Sequence, residues 1–106
     1  MEIKNIYLQK NKNSKSEIIE DIIFTKSFRL EKISSFGYPT PNNKWYNQDK
    51  NEWVLLLKGQ ATLKFKKDDS RINLTEGDYI FLEKHLEHRV EYVSKDAIWL
   101  CIHYKK

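Results

Sequence analysis

The chain has 106 residues, of which 40% are hydrophobic and 32% charged, and this fits one small globular domain and excludes two. No apolar run approaches the roughly 20 residues that span a bilayer, and no signal-peptide pattern opens the chain, so we expect a cytoplasmic protein without a membrane partner. The net charge is +4, but the basic residues are spread out rather than grouped with aromatic residues, so we expect no nucleic-acid partner.

Residues 1–27 are predicted to form a short N-terminal extension that packs on the main domain. Residues 1–8 contain enough apolar side chains for a short strand, and residues 10–16 are polar, as in a loop. Residues 17–23 carry isoleucines at helical spacing and follow serines that could cap a helix, which indicates a helix. Their many β-branched side chains indicate a strand instead, and both alternatives stay open.

Residues 28–106 are predicted to form the main domain, built from short strands. Residues 28–35 alternate apolar and polar side chains, which indicates a half-buried strand. Further strands are predicted over residues 45–48, 52–57, 61–66, 71–74, 79–82, 88–93 and 97–104. Turn signals recur roughly every 8–12 residues and no helices alternate with the strands, which favours an all-β antiparallel sandwich or barrel.

The strand over residues 52–57 is apolar on both faces. If Glu52 faces the interior, alternation places Val54 and Leu56 there too. The outward side chains are then Trp53, Leu55 and Leu57. This outer apolar stripe needs a cover, which either the N-terminal extension or a second subunit could provide.

Two pairs of residues in the central part of the chain have a characteristic spacing. Glu52 precedes Gly59 by seven positions, and Gly77 precedes His88 by eleven. This arrangement resembles the two motifs of the cupin superfamily, and the sequence around it is similar to short single-domain bacterial cupins. The resemblance implies a cupin-type antiparallel β-barrel, a jelly-roll-like double sheet, with a small-molecule site inside. It also favours a homodimer, for which the outer stripe supplies a physical reason.

The chain departs from metal-binding cupins at two ligand positions. Where the resemblance implies a pair of histidines before the glutamate, the two possible spacings give Tyr46 and Gln48, or Trp45 and Asn47. Of the four ligand positions that the resemblance implies, only those of Glu52 and His88 are kept.

A divalent transition metal such as Mn, Fe, Ni or Zn is therefore a candidate cofactor with a poor donor set. Gln48, Glu52 and His88 would supply the donors, and His85 is a candidate fourth. Two or three imidazoles normally supply most of the affinity for such metals. His85 lies three residues before His88, so only an irregular segment would turn both to the same face.

Glu52 and His88 are also candidate catalytic residues without a metal, because a carboxylate can orient an imidazole that titrates near neutral pH. The alternative is a hydrogen-bonded polar pair with a purely structural role. The predicted ligand-binding side chains are Tyr46, Gln48, Tyr79 and Tyr92.

The leading hypothesis is a small cupin that binds a small molecule, with or without a divalent metal, inside the barrel. One alternative is a metal-dependent cupin enzyme of dioxygenase or isomerase type that uses Glu52 and His88. Another is a structural or regulatory module that docks a partner through the outer stripe. On the last strand, we expect Cys101 to be a buried small hydrophobic residue and His103 to be packed or exposed rather than a ligand.

Overall fold

The computed structural model describes residues 1–9 and 14–105, and within them eight strands and no helix are formed. The strands are β1 (Ile18–Phe24), β2 (Phe28–Ser34), β3 (Asn51–Lys58), β4 (Gln60–Phe65), β5 (Arg71–Thr75), β6 (Tyr79–Leu82), β7 (His88–Val93) and β8 (Ile98–Tyr104). The predicted all-β class is confirmed. The described residues therefore include no helix of the length and apolarity needed to cross a bilayer.

The strands form two antiparallel sheets that face each other. The larger sheet has the order β1-β2-β8-β3-β6, and the smaller has the order β5-β4-β7. Pairing among the described strands does not close the sheets into one continuous ladder, so the arrangement is jelly-roll-like. The core lies between the sheets, where Leu56 and Ala97 have no exposed surface. Apolar side chains on the inner faces of both sheets therefore hold the fold together by removing their surface from water.

β3 lies near the centre of the larger sheet, between β8 and β6. Its Glu52, Val54 and Leu56 are buried while the residues between them are partly exposed, so the predicted alternation is confirmed. Directly paired residues of neighbouring strands share a face. The register of β6 therefore places Leu82, the partner of Glu52, on the inner face, and Tyr79, the partner of Leu55, on the outer face.

Three predictions about local elements need correction or resolution. Residues 1–8 form no strand; Lys32 on β2 donates a hydrogen bond to the carbonyl of Leu8 at 2.7 Å, so the segment lies against the sheet without joining its pairing. Residues 17–23 are not helical, because β1 pairs with β2 as an edge strand. Residues 45–48 reduce to one bridge between Tyr46 and His88. Part of the predicted loop over residues 10–16 lies outside the described residues.

Candidate functional site

A cavity of about 130 Å³ lies between the two sheets. It is smaller than the roughly 300–1,000 Å³ of pockets for drug-sized ligands, so it suits a small molecule. Its walls are partly apolar, with Val54, Leu63 and Trp99 among the lining residues. The polar side chains on which the chemistry depends are Glu17, Glu31, Glu52, Tyr46, Gln48 and His88.

Glu52 on β3 and His88 at the start of β7 face each other across the interior. Each side chain is 9% exposed, and Nε2 of His88 lies 3.9 Å from Oε1 of Glu52, which is too long for a hydrogen bond. Nδ1 of His88 lies 2.8 Å from the carbonyl oxygen of Leu86, which can only accept, so Nδ1 carries the proton. Burial lowers the pKa of His88. The imidazole is therefore neutral near pH 7, and Nε2 keeps its lone pair.

A second histidine, His103, lies close to Glu52. Nε2 of His103 on β8 is 2.7 Å from Oε1 of Glu31 and 3.8 Å from Oε2 of Glu52. The hydrogen bond with Glu31 raises the pKa of His103, against the opposing effect of burial. Burial raises the pKa of Glu52, and the charge of His103 partly offsets this rise. β8 pairs with β2 and β3, and this pairing brings the two carboxylates to one imidazole.

The N-terminal extension supplies a third carboxyl group. Glu17 precedes β1 and, like Tyr46, lines the cavity. Burial raises the pKa of both groups. Backbone hydrogen bonds of 2.7 and 3.2 Å join Tyr46 to His88, and the two rings lie 5.6 Å apart. Residues from three distant parts of the chain thus form one continuous polar lining.

Four of the predicted site residues come together, namely Tyr46, Gln48, Glu52 and His88. His85 does not join them. It has a φ of 64°, is exposed, and places Nδ1 2.9 Å from Oδ1 of Asn47 in the turn before β7. The segment before β7 is irregular, which is the condition under which His85 and His88 could have shared a metal site. Its conformation nevertheless directs the imidazole of His85 to solvent.

The two remaining predicted ligand-binding residues, Tyr79 and Tyr92, lie outside the cavity and are 58% and 51% exposed. Tyr79 faces outward because its partner in the register is Leu55. Tyr92 shares the parity of His88, which predicts an inward side chain. Between Val90 and Tyr92, however, the pairing with β4 skips Glu91. This bulge inverts the alternation and turns Tyr92 outward.

The sequence reasoning missed Glu17 and Glu31, which line the cavity, and His103, which contacts Glu31 and lies close to Glu52 outside it. The parity of the last strand was a usable signal, because His103 shares a face with Cys101, which is buried as predicted and lines the cavity. Glu31 gave a weaker signal, because the apolar residues of β2 are only partly buried and the buried ones are polar, so hydrophobicity does not mark the inner face of this strand. No local pattern indicated Glu17, because its position depends on β1 reaching the edge of the larger sheet.

A model of the cupin domain matches residues 39–103, which is more than half of the chain. The chain belongs to the cupin family. Three similar solved structures support the same fold. A proposed mannose-6-phosphate isomerase from Ralstonia eutropha is 24% identical, with a TM-score of 0.91 and 100% of each chain covered. A comparison with curated proteins finds no match.

The other two structures are less similar. A cupin superfamily protein from Desulfitobacterium hafniense is 18% identical with a TM-score of 0.74, over 93% of this chain and 84% of that one. An RmlC-like cupin from Desulfovibrio desulfuricans is 14% identical with a TM-score of 0.76, over 98% and 96%. At such identities the likeness establishes the cupin fold alone.

The donor set of this cupin does not fit the transition metal that the sequence raised as a candidate. Among residues 1–9 and 14–105, no group of three or more histidine, cysteine, aspartate or glutamate side chains is arranged to hold a metal ion. Nε2 of His103 is engaged by Glu31, and His85 faces solvent. His88 and Glu52, with the amide of Gln48, leave one imidazole where such metals usually take two or three.

Without a metal, the side chains of the cupin cavity still offer an acceptor for a hydrogen bond or a proton. The neutral His88 offers an unprotonated Nε2, and Glu52 stands beside it with a raised pKa. A carboxyl group whose pKa is raised toward neutral pH, beside an imidazole nitrogen that is free to accept a proton, suits the exchange of protons with a bound molecule. Burial holds the pKa of the Cys101 thiol well above its usual range, so Cys101 is not an activated nucleophile.

Proposed function

We propose that this cupin binds a small polar molecule in the cavity between its sheets. The observation that carries the proposal is Nε2 of His88, an acceptor on a residue that is 7% exposed. No hydrogen bond from a described residue reaches this atom, and His88 lines the cavity. Its lone pair is therefore available to a bound molecule that carries an N–H or O–H group.

The proposed ligand carries no phosphate group, although the Ralstonia protein bears the name of a phosphosugar isomerase. Phosphate recognition depends on arginine or lysine side chains or on backbone N–H groups at a helix N-terminus. None of the described residues that line the cavity is arginine or lysine, and the described chain has no helix. Three glutamates line the cavity instead, and they would repel a phosphate.

We expect a screen of small polyols, amines and amides by two-dimensional NMR to give shifts confined to amides around the cavity. His88→Ala should weaken binding of any hit by about tenfold or more, because it removes a buried hydrogen-bond acceptor. His85→Ala is the matched control: it deletes an exposed imidazole three residues away and should leave the affinity unchanged. Equal affinities for the two variants would contradict the proposed site.

Elemental analysis of the same samples separates this proposal from a metal-dependent dioxygenase or isomerase. We expect far less than one equivalent of transition metal per chain, because the donor set contains one free imidazole. A stoichiometric metal that is retained in His85→Ala and lost in His88→Ala would make the metalloenzyme the better reading and contradict our assignment of the cavity.

We further propose that a second copy of the chain covers the outer face of β3 and β6. Trp53, Tyr79 and Phe81 form an aromatic cluster there, with ring centroids 5.6 Å apart for Trp53–Tyr79 and 6.3 Å for Tyr79–Phe81. Tyr79 and Phe81 are 58% and 65% exposed. The N-terminal extension lies toward the opposite edge of the larger sheet, where Lys32 on β2 donates a hydrogen bond to the carbonyl of Leu8. A homodimer would therefore bury the part of the outer stripe that the extension leaves open.

Phe81→Glu is expected to weaken self-association by about tenfold or more in sedimentation experiments, because it places a charge among the apolar side chains of the proposed interface. Tyr92→Glu is the control, since Tyr92 is a comparably exposed aromatic residue on the smaller sheet. A monomeric parent protein, or an equal loss of association in both variants, would refute the proposed interface.

A further inference from the structure

The charged side chains among the described residues that line the cavity are all carboxylates. They belong to Glu17, Glu31 and Glu52, and His88 adds the lone pair of Nε2. The donors of the lining belong to neutral groups such as the amide of Gln48, and the hydroxyl group of Tyr38 already donates to the carbonyl of Ser14 at 3.1 Å.

No cationic side chain lines the cavity: none of the described lining residues is lysine or arginine. Two cations contact the lining from outside. Nε2 of His103 donates to Glu31 at 2.7 Å, and Arg89 donates to the carbonyl of Thr40 at 3.0 Å. Neither cation is paired with Glu17, and His103 is closer to Glu31 than to Glu52, so a bound cation would meet carboxylates that lack a close cationic partner.

One nitrogen atom could satisfy the two central acceptors together. Nε2 of His88 and Oε1 of Glu52 lie 3.9 Å apart, and a donor between them could be about 2.9 Å from each. An ammonium group suits this position because it has three donors, no acceptor and a positive charge. A hydroxyl group offers a single donor, and a carboxylate offers none.

We propose that the ligand of the cavity is a small organic cation whose protonated amine lies between His88 and Glu52. This inference rests on the proposed function and names the chemical class of the ligand. The charged group would meet the acceptors of His88 and Glu52, and the rest of a small molecule would lie against the apolar wall that includes Leu63 and Val54. The size of the cavity, about 130 Å³, limits the ligand to a few non-hydrogen atoms.

The test uses three molecules of nearly equal size that differ in one terminal group: 3-amino-1,2-propanediol, glycerol and glycerate. Each is titrated into the full chain at fixed ionic strength near pH 7, and the shifts of cavity amides are followed by NMR. We expect the amine to bind at least about tenfold more tightly than glycerol, because charge-assisted hydrogen bonds are roughly twice as strong as neutral ones. Glycerate should bind most weakly of the three.

Glu52→Gln should remove the preference for the amine over glycerol while keeping the shape of the cavity. Glu17→Gln, at the edge of the larger sheet, is a second variant that should reduce the preference if Glu52→Gln does not fold. Equal or tighter binding of glycerol or glycerate would overturn the inference and leave the proposed function standing.

The same cavity shifts with potassium chloride alone would overturn the inference too, because they would indicate a site for an inorganic cation. The absence of cavity shifts with all three molecules would also overturn the inference. In that case the wider screen of polar molecules decides separately whether the proposed function holds.

Discussion

Replacement of His103 by alanine is expected to lower the free energy of unfolding by about 3 kcal/mol near pH 6, as measured by urea denaturation. The side chains of His103 and Glu31 are 12% and 9% exposed, and Glu52 is as buried as Glu31. Removal of the imidazole leaves two buried carboxylates close together without a cation. Loss of one partner from a buried ion pair usually costs more than the pair itself contributes, because the remaining charge stays buried.

Two further variants test whether this loss comes from the buried charges. Glu31→Gln in the background of His103→Ala should recover part of the stability, because it removes one of the two unpaired carboxylates. Arg71→Ala breaks an exposed pair with Glu91 and should have a much smaller effect, since exposed pairs contribute little. Equal losses from His103→Ala and Arg71→Ala would contradict the argument.

The stability that His103 contributes should depend on pH in a definite direction. The pKa of His103 is raised in the folded state, so its contribution is fully present below the unfolded value of about 6.5 and is lost as the pH rises through the folded value. The raised pKa of Glu52 acts in the same direction at lower pH. The pKa of His88 is lowered, so its contribution is present above about 6.5 and is lost as the pH falls.

Because His88 titrates in both proteins, it largely cancels when the parent is compared with His103→Ala. The difference in unfolding free energy between the two should be largest near pH 6 and should shrink as the pH rises above the folded pKa of His103. Arg29 opposes the positive charge of His103 and sets a limit on how far this pKa rises. A difference that grows with pH would contradict the assignment of His103 as the stabilising cation.

The sequence was sufficient to predict β2 to β8, although not β1, because period-two alternation has a direct physical cause. β4 carries Ala61 and Leu63 inside, with Thr62 and Lys64 between them, and only a strand places such residues on opposite faces. β3 follows the same rule despite its apolar outer face, since Glu52 marks the parity of the inner side. Antiparallel pairing then follows from short connections such as that at Gly59.

The site was less predictable, because it depends on pairings between distant strands. The association of Glu31, Glu52 and His103 is set by the register of β8 against β2 and β3. Tyr92 shows the same limitation within a single strand. One extra residue in β7 reverses its side chain, and no amino-acid preference around Glu91 indicates a bulge.

At Gly59 the sequence predicts the turn, and only the structure shows the close packing around it. Gly59→Ala is expected to lower the free energy of unfolding by about 3 kcal/mol in urea denaturation. The sequence places this glycine in a turn, and its φ of +94° is in the left-handed region. A Cβ atom would also lie 2.5 Å from Oγ of Ser94 and 2.8 Å from Cα of Ala97. Backbone at Ala97 cannot move aside easily, because that residue is fully buried.

Gly77→Ala separates the two contributions. Gly77 has a φ of +88°, but a Cβ atom there would meet nothing within 4 Å. Its substitution should therefore cost only the backbone conformation, about 1 kcal/mol. The difference between the two alanine variants measures the close packing of the β3–β4 turn against the β7–β8 connection. Equal losses would mean that Ser94 and Ala97 move apart readily and that this contact does not hold the sheets in place.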